Sequence, residues 1–404
     1  MKKSSNLFFG ILNTVINTVF PIITLPYIFN TLGSELYGQN LHASLISQFL
    51  CFLFVGAINA YAIRRFTHAV NETVEYKKIL GIQIVCSVLA MIVHILIIFI
   101  FKLEGKHYYI YIIVTSLSFL NVEWYFQAKQ KYFQIFVRTF LTKTFILIFL
   151  VTTIKDKTNF ELYVYVMSIS FLLPWLISFY ITSKVYGLGV SFNGVYSSIR
   201  EAKHFYSNAL IGSAYKYLDQ IVIGIFITSS ELAIVNLLKT IITAIVSIPA
   251  LVSRFILPDA LKACNGINLL KHHRKYFSIL IVSLILGCTL FVIFGKDILN
   301  LIFNGDPKIK TIYIYLISLT VIVSSISIYI DNQCSIVLNL EKITSISNLF
   351  VGFITGISMF LLYDKFLYLS PILGLIIGET TGVIIMCLFH IKYYKTFFYR
   401  KPMK

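Results

Sequence analysis

Acidic residues are scarce in this chain of 404 residues. It has 17 Asp and Glu against 34 Lys and Arg, so the formal net charge is +17, yet charged residues of both signs make up only 13%. Apolar residues reach 58%, and the mean hydropathy is +0.83. This composition is far more apolar than that of water-soluble domains, which excludes a soluble nucleic-acid-binding protein as the explanation of the basic excess. It predicts an all-α, polytopic membrane protein instead.

Motifs for soluble catalysis and for metal binding are also lacking. The sequence has no P-loop, no GxGxxG after a strand, no HExxH and no Cys/His cluster at metal-ligand spacing. The six cysteines show no C-x-x-C spacing and fall mostly in apolar runs, where they are typical packing residues. We therefore expect no cofactor, no metal and no nucleic-acid partner. The first apolar run has no cleavage pattern and is expected to stay as a full-length span.

The apolar runs are long enough for about twelve transmembrane helices of roughly 20 residues each. The predicted spans are 7–29, 41–62, 79–101, 108–128, 138–154, 160–182, 205–228, 232–255, 276–294, 311–331, 343–363 and 367–391. An even number of spans places both termini on one side. Of the 34 basic residues, 24 then fall on that side, eight fall on the other, and Lys216 and Lys239 remain within spans. By the positive-inside rule, this bias predicts that both termini are cytoplasmic.

The spans divide into two sets of six. We predict an N-terminal six-helix lobe over 1–182, a cytoplasmic linker over 183–204 that is rich in Gly and Ser, and a C-terminal six-helix lobe over 205–404. Ser34-Glu35-Leu36 with Asn40 recurs as Ser230-Glu231-Leu232 with Asn236, at a constant offset of 196 residues. Repeats of this kind are common in transporters, where the substrate site lies in a central cavity between the halves.

Ionisable residues inside spans are costly and usually face a cavity or a partner. Lys216 and Lys239 are predicted to line a basic cavity that binds an anion. Asp219 lies three residues after Lys216, so it shares a helix face with it and either pairs with it or balances its charge. Asp331 and Glu379 are, with Asp219, candidates for ion coupling.

Two further groups of residues are candidates at the first two spans. Arg64 and Arg65 end the second span, either as lipid-facing anchors or as a phosphate-binding pair, and the sequence does not separate them. Asn13 and Asn17 share one face of the first span, which also holds Pro21 and Pro26. We interpret this span as a gating helix; the alternative is an ordinary kinked helix.

Charged groups near the cytoplasmic ends of other spans favour structural roles. Glu123 is expected to pair with one of the basic residues that follow it, among them Arg138 and Lys143. His272 and His273 stand in a basic inner loop and are expected to be solvated.

Several short motifs resemble the polysaccharide flippases of the O-antigen and capsule pathways, the Wzx type of the multidrug/oligosaccharidyl-lipid/polysaccharide superfamily. They are Pro26-Tyr27 with Leu32-Gly33 and Tyr37-Gly38, Tyr61-Ala62-Ile63-Arg64, Trp124-Tyr125-Phe126-Gln127 with Arg138 and Lys143, and Tyr215 through Gly224. The resemblance covers essentially the whole chain. Departures stand at Asn30, where many members have arginine, at Ala62, where glycine is common, and at Gln220, where lysine is frequent.

The resemblance implies a flippase, not an enzyme, in the bacterial inner (cell) membrane. Its expected substrate is an undecaprenyl-diphosphate-linked oligosaccharide, the repeat unit of a lipopolysaccharide O-antigen or a capsule, moved from the cytoplasmic to the outer leaflet by alternating access. Membrane lipid, a polysaccharide polymerase and chain-length machinery are the expected partners. Three alternatives stay open: a small-molecule or multidrug antiporter of the same superfamily, a peptidoglycan-precursor flippase, and a membrane glycosyltransferase or polymerase.

Overall fold

The computed structural model describes residues 2–202, 217, 219–226, 228–262, 266–303, 312–335, 341–366 and 369–399. All regular structure in these residues is helical, with no strand. The α-helices are α1 (Lys2–Leu50), α2 (Ala57–Thr67), α3 (Glu72–Ile100), α4 (Lys106–Ser116), α5 (Glu123–Ala128), α6 (Tyr132–Thr153), α7 (Phe160–Tyr186), α8 (Val195–Glu201), α9 (Asp219–Phe226), α10 (Ser229–Lys262), α11 (Gly266–Phe303), α12 (Ile312–Ile330), α13 (Glu341–Phe366) and α14 (Ser370–Tyr399).

Nine helical stretches within the described residues are long and apolar enough to cross a membrane. The first, Phe8–Thr67, contains two of the predicted spans. It is broken at Gly33, where φ is 85°, a left-handed conformation that glycine adopts without the clash of a Cβ. The all-α, multi-pass fold class is therefore confirmed.

The predicted fourth span is not one continuous helix. After α4 the chain tightens into a 3₁₀ segment, Leu117–Leu120, and leaves helical geometry at Asn121 before α5 begins. The Asn121 side chain accepts a hydrogen bond from the Glu123 backbone N–H at 3.4 Å, which caps the new helix. Most of the predicted seventh span, 205–228, lies outside the described residues.

The contacts divide the chain into two compact units, Met1–Ala233 and Ile234–Lys404. The described residues from 217 to 233 thus group with unit 1, whereas the sequence assigned them to the C-terminal lobe. The boundaries at 182 and 205 stay a prediction.

In unit 1, a cluster of aromatic rings joins the ends of α2, α3, α5 and α7. The Phe66 ring lies 5.3 Å from that of Trp124 and 5.8 Å from that of Tyr186, and Tyr76 stacks on Tyr186 at 5.0 Å. Trp124 is fully buried, and its indole N–H donates to Gln83 at 3.2 Å. Burial of these large rings fixes the helix ends that carry several of the candidate residues.

The two copies of the sequence repeat meet in unit 1. The Ser34 and Ser230 hydroxyls, at equivalent positions of the repeat, lie 2.7 Å apart. A Cβ on Gly38 would collide with the backbone of Ser229, so this helix approach requires glycine. The repeat thus marks a contact between α1 and the start of α10.

Unit 2 corrects the expectation that His272 and His273 are solvated. His272 is buried and its Nε2 lies 3.2 Å from Gln333 Oε1, while the half-buried His273 has its Nδ1 3.2 Å from the Tyr329 hydroxyl. The reason is that α11 begins at Gly266, so both histidines lie inside a helix that packs on α12.

Candidate functional site

A cavity of about 470 Å³ lies within unit 1. Its described lining comes from the second, fourth and sixth predicted spans and from Tyr217, and none of these residues is charged. They are Ser47, Gln48, Cys51, Phe52, Val55, Gly56, Asn59, Ile63, Val114, Ser118, Asn121, Gln127, Phe171, Trp175 and Tyr217.

Two helices lose regular α-geometry where they line this cavity. The chain is π-helical over Cys51–Gly56 and 3₁₀ over Leu117–Leu120, while α7 stays α-helical through Pro174. Irregular backbone at membrane depth persists only where protein or a water-filled cavity satisfies the freed polar groups. Single π-helical turns inside helices also occur frequently at functional sites. The convergence of two such irregular segments on one cavity marks it as the candidate site of unit 1.

The polar part of the lining consists of side-chain amides and hydroxyls. Asn59 Oδ1 is buried and has no hydrogen-bond partner among the described residues. Gln127 Nε2 donates to Glu123 Oε1 at 3.1 Å, which leaves the Gln127 carbonyl oxygen available to the cavity. Buried polar atoms normally have partners, so an unpaired acceptor beside a cavity favours a ligand or water that donates hydrogen bonds.

Aromatic side chains form the apolar part of the lining. The Phe52 and Tyr217 rings lie 6.3 Å apart, and Phe171 and Trp175 stand one helical turn apart on α7. Aromatic faces pack against the C–H faces of a ring-shaped ligand, while nearby amides orient it. The cavity is therefore suited to a neutral molecule with many hydroxyl groups.

An ion pair lies next to the cavity, since Glu123 accepts a hydrogen bond from the lining residue Gln127. Arg138 Nη2 lies 2.8 Å from Glu123 Oε2, and Arg138 Nη1 also donates to the Ser178 hydroxyl. The expected pairing of Glu123 is thus confirmed, with Arg138 as its partner. Arg138 lies six residues inside α6, because this helix begins at Tyr132 and not at the predicted residue 138.

Lys143 lies inside the predicted span 138–154 but was counted with the cytoplasmic bases, so sequence reasoning missed it as a cation within a span. It lies 11 residues into α6, about 16 Å along the helix axis, near the middle of this 22-residue helix. Its ammonium stands 4.7 Å from the centre of the Phe20 ring, and no acidic group in the described residues pairs with it. Its position inside the predicted span 138–154 was the signal in the sequence that could have identified it.

The structure separates Arg64 from Arg65. Arg65 Nε lies 3.1 Å from Glu75 Oε1, and Arg65 Nη1 lies 3.8 Å from Glu201 Oε2 on α8. Arg64 is exposed and has no ion pair or hydrogen bond within the described part of the chain. Ile63, the residue before Arg64, lines the cavity.

The remaining charged candidates are distributed over several segments, part of them outside the described residues. Lys216 lies outside them, and Asp219 begins α9 with a side chain that is also outside them. Lys239 is half-buried in α10. Asp331 begins a π-helical segment, Asp331–Ser335, and Glu379 is buried in α14. The roles predicted for these five residues stay predictions.

The proposed gating helix is α1. Pro21 and Pro26 lie inside it, and Asn17 Nδ2 donates to the Asn13 backbone carbonyl at 2.9 Å. Asn13 Oδ1 is buried with no partner in the described residues. Asn17 is exposed, so the two asparagines do not have the same surroundings although they are four residues apart.

Residues 4–259 match the family described as "Polysaccharide biosynthesis protein". A comparison with curated protein sequences found no match. Solved structures share the fold at low sequence identity. A lipid II flippase, MurJ, in an inward closed conformation aligns with a TM-score of 0.70 at 14% identity, over 95% of this chain and 87% of that chain.

Multidrug transporters share the fold as well. An inward-facing multidrug resistance MATE family transporter of the MOP superfamily aligns with a TM-score of 0.64 at 13% identity, over 95% of each chain. A mutant of the Vibrio cholerae MATE transporter VcmN gives 0.57 at 11%, over 98% of each. The family match covers more than half of the chain. This multi-pass membrane protein therefore belongs to the polysaccharide biosynthesis protein family and has the fold of MOP-superfamily flippases and transporters.

Proposed function

We propose that this protein is a flippase that moves a lipid-linked oligosaccharide, the repeat unit of an O-antigen or capsule on undecaprenyl diphosphate, from the cytoplasmic to the outer leaflet of the bacterial inner membrane. The observation that carries the proposal is the cavity of unit 1, with its amides, hydroxyls and aromatic rings, in a chain of the polysaccharide biosynthesis family. The bias of basic residues supports cytoplasmic termini.

The physical problem of this transport is the head group. Sugar hydroxyls and a diphosphate lose their hydration in hydrocarbon without any replacement for the lost hydrogen bonds, whereas the prenyl tail is apolar and is soluble there. In our proposal the cavity of unit 1 replaces water around the sugar. Asn59 and Gln127 supply acceptors for sugar hydroxyls, and Trp175 supplies a face for the sugar ring.

The diphosphate requires cations. Lys143 and Arg64 have no acidic partner in the described part of unit 1, so their charge remains available to an anion. Lys216 and Lys239 are proposed as further counter-charges for the diphosphate. An inside-negative membrane potential favours outward movement of negative charge by about 2.3 kcal/mol per charge per 100 mV.

A multidrug antiporter and a peptidoglycan-precursor flippase would each need different chemical groups in this cavity. A cation exporter needs carboxylates in contact with its substrate, and the described lining of the cavity offers none. A peptidoglycan precursor carries a charged peptide in addition to its sugars, and the described lining of the cavity contains no charged residue to pair with it.

The test reconstitutes the purified full-length protein in liposomes that contain a fluorescent, diphosphate-linked disaccharide lipid. Movement is measured as the fraction of the fluorescent lipid that a membrane-impermeant glycosidase, added outside the liposomes, can no longer cleave. We expect Trp175→Ala to slow flipping about tenfold, which corresponds to about 1.4 kcal/mol of lost binding in the transition state. Tyr180→Ala is the matched control, since Tyr180 lies on the same helix and is exposed.

Equal rates for the two variants and the wild type would remove the cavity from the mechanism. No flipping above that of empty liposomes, together with export of cationic dyes, would replace the proposal with the antiporter reading. A prenyl diphosphate without sugar serves as the substrate control. Its movement is expected to be insensitive to Trp175→Ala.

A further inference from the structure

A crevice of about 290 Å³ lies within unit 2, between α10, α11 and α12. We call it the lateral crevice. Its α11 side falls within residues 276–291, and its α12 side includes Ser318, Val321 and Tyr329. The residues that α10 supplies have the spacing of a single helix face. They are Ile245, Ile248, Pro249, Val252, Ser253 and Ile256.

The lateral crevice runs along the helices over the depth of a membrane leaflet. The Phe277 and Tyr329 rings lie 5.3 Å apart at one end, and Cys288 Sγ lies 3.7 Å from the Ser318 carbonyl oxygen near the other. The lining segment of α11, 276–291, rises by about 22 Å at about 1.5 Å per residue. One leaflet contributes about 15 Å, half of a hydrocarbon core of about 30 Å. The crevice is therefore long enough for a hydrocarbon chain that extends through a leaflet.

The lining offers little to a polar ligand. The Ser283 hydroxyl donates to the Leu280 carbonyl at 2.8 Å, and the Ser318 hydroxyl donates to the Ile314 carbonyl at 2.9 Å. No buried side-chain nitrogen or oxygen of the described lining lacks a hydrogen-bond partner. The cavity of unit 1 differs, since it has the unpaired oxygen of Asn59. An apolar space with satisfied polar groups excludes water and accepts an apolar occupant.

The crevice has a buried floor and an exposed edge. Ile256 and Leu280 are buried, whereas Ile248, Val252 and Ile279 are exposed although they line the same space. Most residues of α11 are exposed as well, which is typical of a helix in contact with lipid. If the crevice were empty, its lining would lose dispersion contacts, so a chain from the surrounding bilayer is expected to fill it.

Basic residues stand at the end of the crevice where α11 enters it. The Lys275 ammonium lies 5.3 Å from the ring centre of the lining residue Tyr276. Lys271 and Arg274 precede it on α11 and, like Lys275, are exposed. No acidic group in the described part of the chain forms an ion pair with these three bases. The positive-inside rule assigns this end to the cytoplasm, where basic residues attract anionic lipid head groups.

We propose that the lateral crevice binds an acyl chain of an anionic phosphoglycerolipid of the cytoplasmic leaflet. Lys275 binds the phosphate of this lipid, and Lys271 and Arg274 add to the positive potential around it. The length of the crevice favours an acyl chain, which ends within one leaflet, over the much longer prenyl chain of the proposed substrate. The lipid is therefore a resident ligand of unit 2, separate from the cargo.

A bound chain would change the packing of unit 2. The crevice separates one face of α10 from α11 and α12, while Gln333, just after α12, donates to the Ser253 carbonyl of α10. An acyl chain would contact all three helices at once. A ligand that binds only the folded state stabilises it, so the lipid is expected to stabilise this group of helices.

The test measures lipid binding to the delipidated full-length protein in detergent by native mass spectrometry. Phosphatidylglycerol is compared with phosphatidylethanolamine that carries the same acyl chains. We expect phosphatidylglycerol to bind about fivefold more tightly, because its net negative charge interacts with the bases of α11. Lys275→Gln should weaken its binding by about fivefold, the contribution of one base near an anionic head group. Lys296→Gln is the matched control, since Lys296 is an exposed lysine beyond the other end of the crevice.

A second variant tests the crevice itself. Gly287 lines it, and a Cβ at this position would have nothing within 4 Å. The side chain of Gly287→Leu therefore fits without a clash and occupies space that the acyl chain needs. We expect the affinity for phosphatidylglycerol to fall by about tenfold, the loss of about ten heavy-atom contacts. Gly356→Leu is the control, because Gly356 also has open space around it but lies outside the crevice.

Several results would overturn the proposal. Equal affinity for the two phospholipids would remove the head-group contact, and unchanged binding in Gly287→Leu would remove the crevice as the site. Displacement of phosphatidylglycerol by an equal concentration of a polyprenyl phosphate would assign the crevice to a prenyl chain instead. The measurement involves no flipping, so its failure is distinguishable from failure of the proposed function.

Discussion

Replacing Glu123 by Gln tests whether the ion pair between Glu123 and Arg138 contributes to the stability of unit 1. The exchange keeps the size of the side chain, removes its charge and replaces one of the two oxygens that accept from Gln127 and Arg138 with a donor. Arg138, with 7% of its side chain exposed, then keeps its charge with the Ser178 hydroxyl and a neutral amide as partners. A buried cation without a counter-charge is costly, because water cannot solvate it.

The size of the effect follows from burial. Removing one partner of a fully buried pair costs about 3–5 kcal/mol, while exposed pairs contribute between about 0 and 1 kcal/mol. The Glu123 side chain is 32% exposed, so solvent screens part of the interaction. We therefore expect a loss of about 2–3 kcal/mol. At roughly 2 °C per kcal/mol for a unit of this size, the thermal midpoint falls by about 4–6 °C.

The assay is thermal unfolding of the purified protein in detergent, followed by tryptophan fluorescence. Both tryptophans, Trp124 and Trp175, lie in unit 1, so the signal reports this unit. Glu161→Gln is the matched control, because it removes the same charge from the exposed pair that Glu161 forms with Lys106. We expect the control to leave the midpoint unchanged. Equal midpoints for both variants would refute the assignment of a structural role to the buried pair.

Two further predictions concern charge and packing. Arg64→Gln and Lys143→Met should each slow flipping of the diphosphate-linked lipid at least fivefold at unchanged thermal stability, because each removes a cation without an acidic partner in the described residues. Arg65→Gln, which breaks pairs with carboxylates of α3 and α8, should leave the flipping rate unchanged, and the reverse order would contradict our assignment. Gly378→Ala should lower the thermal midpoint, because its Cβ would lie 2.8 Å from the Val351 carbonyl oxygen. Gly356→Ala is the control and should leave the midpoint unchanged, because its Cβ would have nothing within 4 Å. Both midpoints are measured by circular dichroism, and equal effects of the two variants would refute the packing argument.

Sequence reasoning succeeded where a single helix carries the information. Hydropathy located the spans, and Gly33 separates two of them as the only residue in α1 with non-helical angles. The pairing of Glu123 with a nearby base was also predictable, because both lie close in the chain. The choice of Arg138 as the partner was not, since it depends on how α6 packs against α5 and on where α6 begins.

The candidate site shows the limit more clearly. Asn59 and Trp175 were not singled out, and Gln127 was named only as part of a family-like motif, because an amide or an indole inside an apolar run gives no signal of its own. Their common position at one cavity depends on three helices from distant parts of the chain. Arg64 and Arg65 were indistinguishable as neighbours in sequence, and only the positions of Glu75 and Glu201 separate them.

The sequence alone determined the fold class, because only apolar helices and closed barrels satisfy their backbone polar groups in hydrocarbon, and the apolar runs of this chain have the length of membrane-spanning helices. It also supplied the direction of insertion as a prediction from the basic residues. The tertiary structure decided which polar side chains meet. Burial depends on contacts between residues far apart in the sequence, such as Ser335 with His390 or Ser34 with Ser230, and no local pattern encodes such a contact.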